Sequence, residues 1–162
     1  MTMLLRRAVP AKVAGDLAVR AVRTKKRKVE SVELASGKVR CDWPGVDNEL
    51  YARYHDEEWG VAVHDDHKLF EMLTLEGAQA GLSWFTVLKK RDNYRQAFSQ
   101  FDPSVVATFS DSKIDELMQN EGLIRHRGKL QSTVTNAKGV LAVQKEFGSF
   151  DKYLWGFAPK HR

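Results

Sequence analysis

From residue 66 onward, apolar residues recur at helical spacing, and the segments they form are bounded by residues that start and stop helices. Leu69, Phe70, Leu73 and Leu75 predict a helix capped by Asp66, and a second is predicted from Ser83 through Phe85 and Leu88. Asp102 followed by Pro103 predicts another start, because proline at the first helical position forfeits no intrahelical hydrogen bond. Ser110 or Ser112 opens "KIDELMQ", which ends between Asn120 and Gly122. Leu130, Val134, Ala137 and Leu141, spaced four, three and four, predict a long helix after Arg127 that stops by Gly148. Ser149 then caps a last short helix holding Tyr153, Leu154 and Trp155. No convincing strand alternation interrupts this series, so the predicted fold class is all-α.

Residues 1–40 follow no such pattern. They hold eleven Lys and Arg against three acids and no aromatic residue, whereas all twelve Trp and Phe lie beyond Cys41. The expected organisation is a basic, disordered extension over 1–40 and one helical domain over 41–162. Within the extension, "TKKRKVE" has the form of a nuclear-import cluster, and "MLLRRAVPAKVAG" that of an organelle-targeting start; a solvated basic tail accounts for both equally well. The formal net charge of +5 favours a polyanionic partner only weakly, since much of it sits in that extension. No apolar run approaches the roughly 20 residues of a membrane helix. A single cysteine excludes an internal disulfide and fits a reducing compartment. The expected location is intracellular: the nucleus in a eukaryote, the cytoplasm in a bacterium.

Three stretches carry candidate chemistry. In "LTLEGAQAGLSWFT", residues 73–86, Glu76 interrupts an apolar helix and is followed by Gln79 and Trp84; a core-facing charge costs several kcal/mol unless paired, so the acid points to a site. "NEGLIRHRGKL", residues 120–130, places Gly122 and Gly128 in a hairpin between two predicted helices, with Arg125, His126, Arg127 and Lys129 around it. Such a hairpin can hold a phosphate on backbone amides, or be an ordinary helical turn with solvated basic residues. "ELYARYHDEEWG", residues 49–60, supplies Tyr54, His55 and Trp59, whose rings can stack on an extruded base or serve as core. Cys41 and His55 are half of a tetrahedral zinc site, a pairing that also arises by coincidence.

Taken together, "CDWPGVDNELYARYHDEEWGV", "KLFEMLTLEGAQAGLSWFTVLKKRDNYRQAF", "FDP" and "GLIRHRGKL" resemble, in order and spacing, the 3-methyladenine DNA glycosylase I family of the helix-hairpin-helix glycosylases. The resemblance covers residues 41 to 157. It implies an all-helical base-excision repair enzyme that cleaves the N-glycosidic bond of 3-methyladenine in double-stranded DNA, working as a monomer. It further implies that Glu76 is the catalytic carboxylate of the base pocket, that Tyr54, Trp59, Gln79 and Trp84 contact the base, and that Gly122, Arg125, Arg127, Gly128 and Lys129 contact DNA. Cys41 and His55 match two of the family's four zinc ligands.

The chain departs from the family pattern at its end. It closes on "WGFAPKHR", His161 does not align with the family's later histidine, and there is no second cysteine. Zinc is therefore expected to be absent or weakly bound. Two functional expectations follow: an active glycosylase, and a catalytically impaired remnant that binds DNA or a partner without excising a base.

Overall fold

The computed structural model describes residues 31–33, 39–41, 43, 45 and 47–158. The two targeting motifs and His161 lie outside the described residues. Two strands, β1 (Ser31–Glu33) and β2 (Val39–Cys41), pair antiparallel with Ser31 opposite Cys41 and Glu33 opposite Val39. This hairpin falls in the stretch read as a disordered extension; strands of three residues are too short for alternation to register in the sequence. It belongs to a unit that ends at Trp43, and a second unit begins at Pro44.

The second unit is helical: α1 (Glu49–Glu57), α2 (Asp66–Gln79), α3 (Trp84–Leu88), α4 (Arg91–Ala97), α5 (Pro103–Val106), α6 (Asp111–Met118), α7 (Arg127–Phe147) and α8 (Phe150–Trp155). Side-chain caps define most starts. Asn48, Ser83, Asp102, Ser110 and Ser149 each accept a hydrogen bond from a first-turn amide, satisfying a donor the helix itself cannot. The cap of α2 is Asp65 rather than Asp66, with Oδ1 taking the Lys68 amide at 2.8 Å. Gly148, at φ 89°, ends α7 in the left-handed conformation that glycine adopts without a Cβ clash.

Helix α7 packs against α2, α5, α6 and α8, burying Leu130, Thr133, Val134, Ala137 and Val140 along one face. Leu73, one of the apolar residues that predict α2, is 42% exposed. The most deeply buried aromatic residues of the core are Phe70, Tyr94, Phe98 and Phe101, with the Phe98 ring 5.8 Å from Tyr94 and 6.2 Å from Phe101. Between α4 and α5, Ser99, Gln100 and Phe101 have φ of 50°, 55° and 57°. Three successive L-residues in that region cost about 1–2 kcal/mol each, and burial of Phe98 just before the turn and of Phe101 at its end holds it in place. No helix among the described residues is long and apolar enough to cross a membrane.

Candidate functional site

Beyond Asp66 in its first turn, helix α2 carries two further acids with opposite environments. Glu71 is 4% exposed; Glu76, five positions on and about 140° around the helix, faces solvent. The acid that the burial argument predicts is therefore Glu71. Its carboxylate accepts from Arg91 Nε at 2.7 Å and Arg95 Nε at 2.8 Å, with Lys68 Nζ 3.3 Å away. Arg91, itself 6% exposed, forks onto Glu58 at 2.9 and 2.8 Å. Burial pushes the Glu58 carboxyl up, but hydrogen bonds from Arg91 and Lys68 more than reverse this and hold it at about 2. For Glu71 the balance has the same sign: burial raises it, and Arg91 and Arg95 bring it below the usual carboxylate range. This lattice fastens the C-terminus of α1 to α2 and α4.

Glu76 opens instead into a cleft of about 540 Å³, shared with Tyr54, Trp59, Met72 and Trp155. Its size falls within the roughly 300–1,000 Å³ of small-molecule sites. Trp59 sits just past α1, 67% exposed, with its ring stacked 5.7 Å from the His55 ring. Tyr54 is buried; burial raises its pKa, and the charges of Glu76 and Glu58 raise it further, so the phenol stays protonated and able to donate at neutral pH. The cleft thus presents a carboxylate, a phenol and two indoles around one space, a combination suited to a flat, electron-poor heterocycle.

The hairpin between α6 and α7 is compact. A Cβ on Gly122 would stand 2.6 Å from the Asn93 side chain, so only glycine lets the turn sit on α4. The Gly122 amide donates to Asn120 Oδ1 at 2.8 Å, and His126 caps α7 by accepting the Lys129 amide at 3.3 Å. Gly128 lies in the first turn of α7, where a Cβ would approach the His126 ring at 3.1 Å. The basic residues divide. Arg125 is 54% exposed, with Glu121 3.9 Å away, and Arg127 pairs with Asp115. Lys129 turns inward: its ammonium donates to the carbonyls of Ala78 at 2.8 Å and Ala80 at 2.6 Å, closing the C-terminal end of α2. Two of the three ammonium donors of Lys129 are thus engaged on backbone carbonyls, unlike the side chains of Arg125 and Arg127.

A model of the methyladenine glycosylase family matches residues 43–162. The chain belongs to the methyladenine glycosylase family. It is 53% identical over 118 residues to the DNA-3-methyladenine glycosylase of Haemophilus influenzae, a match covering 73% of this chain and 63% of that protein. A crystal structure of 3-methyladenine DNA glycosylase I superposes with a TM-score of 0.69 at 52% identity, over 73% of this chain and 64% of the other. A Tyr→Phe variant of 3-methyladenine DNA glycosylase I, in complex with 3-methyladenine, superposes with a TM-score of 0.68 at 41% identity, over 69% and 60%. The chain spans less than two thirds of the length of these relatives.

Of the residues singled out from the methyladenine glycosylase resemblance, Tyr54, Trp59 and Glu76 come together in the cleft, whereas Gln79 and Trp84 do not line it. Trp84 is buried against Tyr54, ring centroids 5.2 Å apart, and its indole Nε1 has no hydrogen-bond partner. Gln79 closes α2 beside the carbonyls that Lys129 holds. Among the described residues no three His, Cys, Asp or Glu side chains gather as metal ligands, whereas a structural zinc takes four. His55 Nδ1 lies 3.0 Å from Asp56 Oδ1. Sequence reasoning missed Trp155 as a cleft residue and Glu71, Arg91 and Arg95 as the buried lattice. The only local signal was the run of charges in an otherwise apolar region.

Proposed function

We propose that this chain is a DNA-3-methyladenine glycosylase, which releases the alkylated base from duplex DNA by hydrolysing its N-glycosidic bond. One observation carries the proposal: Glu76 shares its cleft with Tyr54 and Trp59 in a chain of the methyladenine glycosylase family. In DNA, an adenine alkylated at N3 carries a positive charge that weakens its bond to the sugar. Extruded into the cleft, it gains charge pairing with Glu76 and stacking on exposed rings, which a neutral adenine gains only in part. When the bond to C1′ breaks, its electron pair neutralises the ring, and water adds at C1′ with loss of a proton. The base leaves neutral, so no strong acid is needed, and the residues act mainly by selecting and placing.

The hairpin supplies the DNA contact. With Lys129 engaged on α2 and Arg127 on Asp115, the phosphate role falls first to Arg125 and the backbone around Gly122 and Gly128. Release of free 3-methyladenine from methylated duplex DNA, separated by chromatography, tests the activity. Its absence with the correctly folded chain, together with retained DNA binding, would instead support a DNA-binding protein without excision. Arg125→Ala is expected to weaken binding on all sequences and lower the salt slope by about one unit. An unchanged slope would remove Arg125 from the interface.

A further inference from the structure

Helix α8 is fastened by five contacts to Val63, His64 and Asp66, at and just before the start of α2. Asp66 accepts the backbone amides of Phe150 at 2.9 Å and Asp151 at 2.8 Å, so a residue of α2 caps the first turn of α8. Asp151 Oδ1 lies 2.7 Å from His64 Nδ1. The Trp155 indole donates from Nε1 to the Val63 carbonyl at 2.9 Å, and its ring stacks on His64 with centroids 5.0 Å apart. Contacts to Val63, His64 and Asp66 thus fix α8 at both ends and fix the indole by its polar edge and by stacking.

The indole is nevertheless 41% exposed, and it lines the same cleft as Trp59 and Glu76. It is oriented by its partners and left open towards a space that holds a carboxylate. We infer that Trp155 is a base-contacting wall of the cleft, stacking on the extruded heterocycle, and that His64 and Asp151 are positioning residues that hold its ring. The role rests on the glycosylase reading above.

Calorimetric titration of free 3-methyladenine into the 162-residue chain separates the two ideas. Stacking of a base on one aromatic side chain is worth about five- to 150-fold in affinity, so Trp155→Leu should lose roughly that factor while Trp155→Phe retains most of it. Asp151→Ala should lower affinity less, and should shift the Trp155 indole N–H resonance while leaving the melting temperature close to that of the unaltered chain. Equal affinity in the unaltered chain and Trp155→Leu would overturn the Trp155 role alone. An unaltered chain that binds no 3-methyladenine would overturn the glycosylase reading and this role with it. If Trp155→Leu fails to fold, Trp155→Phe and Asp151→Ala decide: an indole resonance unmoved by Asp151→Ala would refute the positioning roles.

Discussion

Glu71→Gln and Glu76→Gln are the same chemical change five positions apart on one helix, and they should have nearly opposite consequences. At Glu71 the lost charge faces Arg91 Nε at 2.7 Å and Arg95 Nε at 2.8 Å in a site that water barely reaches. Removing one member of a buried ion pair costs about 3–5 kcal/mol, since the partner's charge is left uncompensated. Arg91 keeps its fork onto Glu58 at 2.9 and 2.8 Å, which places the expected loss at the lower end, near 3 kcal/mol. At Glu76 the carboxylate is exposed and forms no ion pair with another described residue, so stability should change by less than about 0.5 kcal/mol. What goes is a charge-assisted hydrogen bond to the base, about 1.5–3 kcal/mol, or roughly ten- to 150-fold in affinity for 3-methyladenine. Urea denaturation and base titration of the same two variants make the comparison. A destabilised Glu76→Gln with normal affinity, or a Glu71→Gln as stable as the unaltered chain, would refute the assignment of the two acids.

Lys129→Met should destabilise the fold by roughly 1.5–3 kcal/mol through loss of its bonds to Ala78 and Ala80, while leaving the salt slope of DNA binding unchanged; a lower slope at unaltered stability would return Lys129 to the phosphate role. Glu58 has its pKa lowered from 4.5 to about 2, so its stabilising contribution is present above about 4.5 and lost as pH falls through 2; the urea midpoint should drop across that window, and less steeply in Glu58→Gln. Gln100→Gly should raise stability by about 1 kcal/mol, because glycine adopts φ 55° without strain, and a lower melting temperature would show that the turn is relaxed as it stands. With one cysteine and no described cluster of three metal ligands, added zinc should leave the melting temperature unchanged; one chelator-resistant ion per chain would contradict this.

The helix starts were legible because a cap is a local event. Ser83, Asp102, Ser110 and Ser149 each sit within a few residues of the amide they satisfy. Helices α1 and α4 were not, since "ELYARYHDE" and "RDNYRQA" show too few apolar positions for a stripe and each buries only two residues. In the cleft, Tyr54, Trp59 and Glu76 were legible through the family resemblance, whereas Trp155 reaches Val63 across 92 positions that no local pattern connects. The misplacement of the buried charge has the same origin. Whether Glu71 or Glu76 faces inward depends on Arg91, 20 positions beyond Glu71, and apolar neighbours in sequence made the wrong one look buried. Lys129 looked like its neighbours Arg125 and Arg127 because the carbonyls it serves lie 49 and 51 positions away.

The engagement of Lys129 on the end of α2 also has an entropic consequence. The last turn of that helix carries Glu76, and a helix end left to fray would present the carboxylate over a range of positions. Each residue that a ligand must order costs about 1–2 kcal/mol of backbone entropy, so a frayed turn would take back much of what the charge contributes. Here Glu71 anchors α2 from within and the ammonium of Lys129 seals its end, so this ordering is completed during folding. Within α2, a ligand entering the cleft would then have the Glu76 side-chain rotamers, and not the backbone of the last turn, left to freeze.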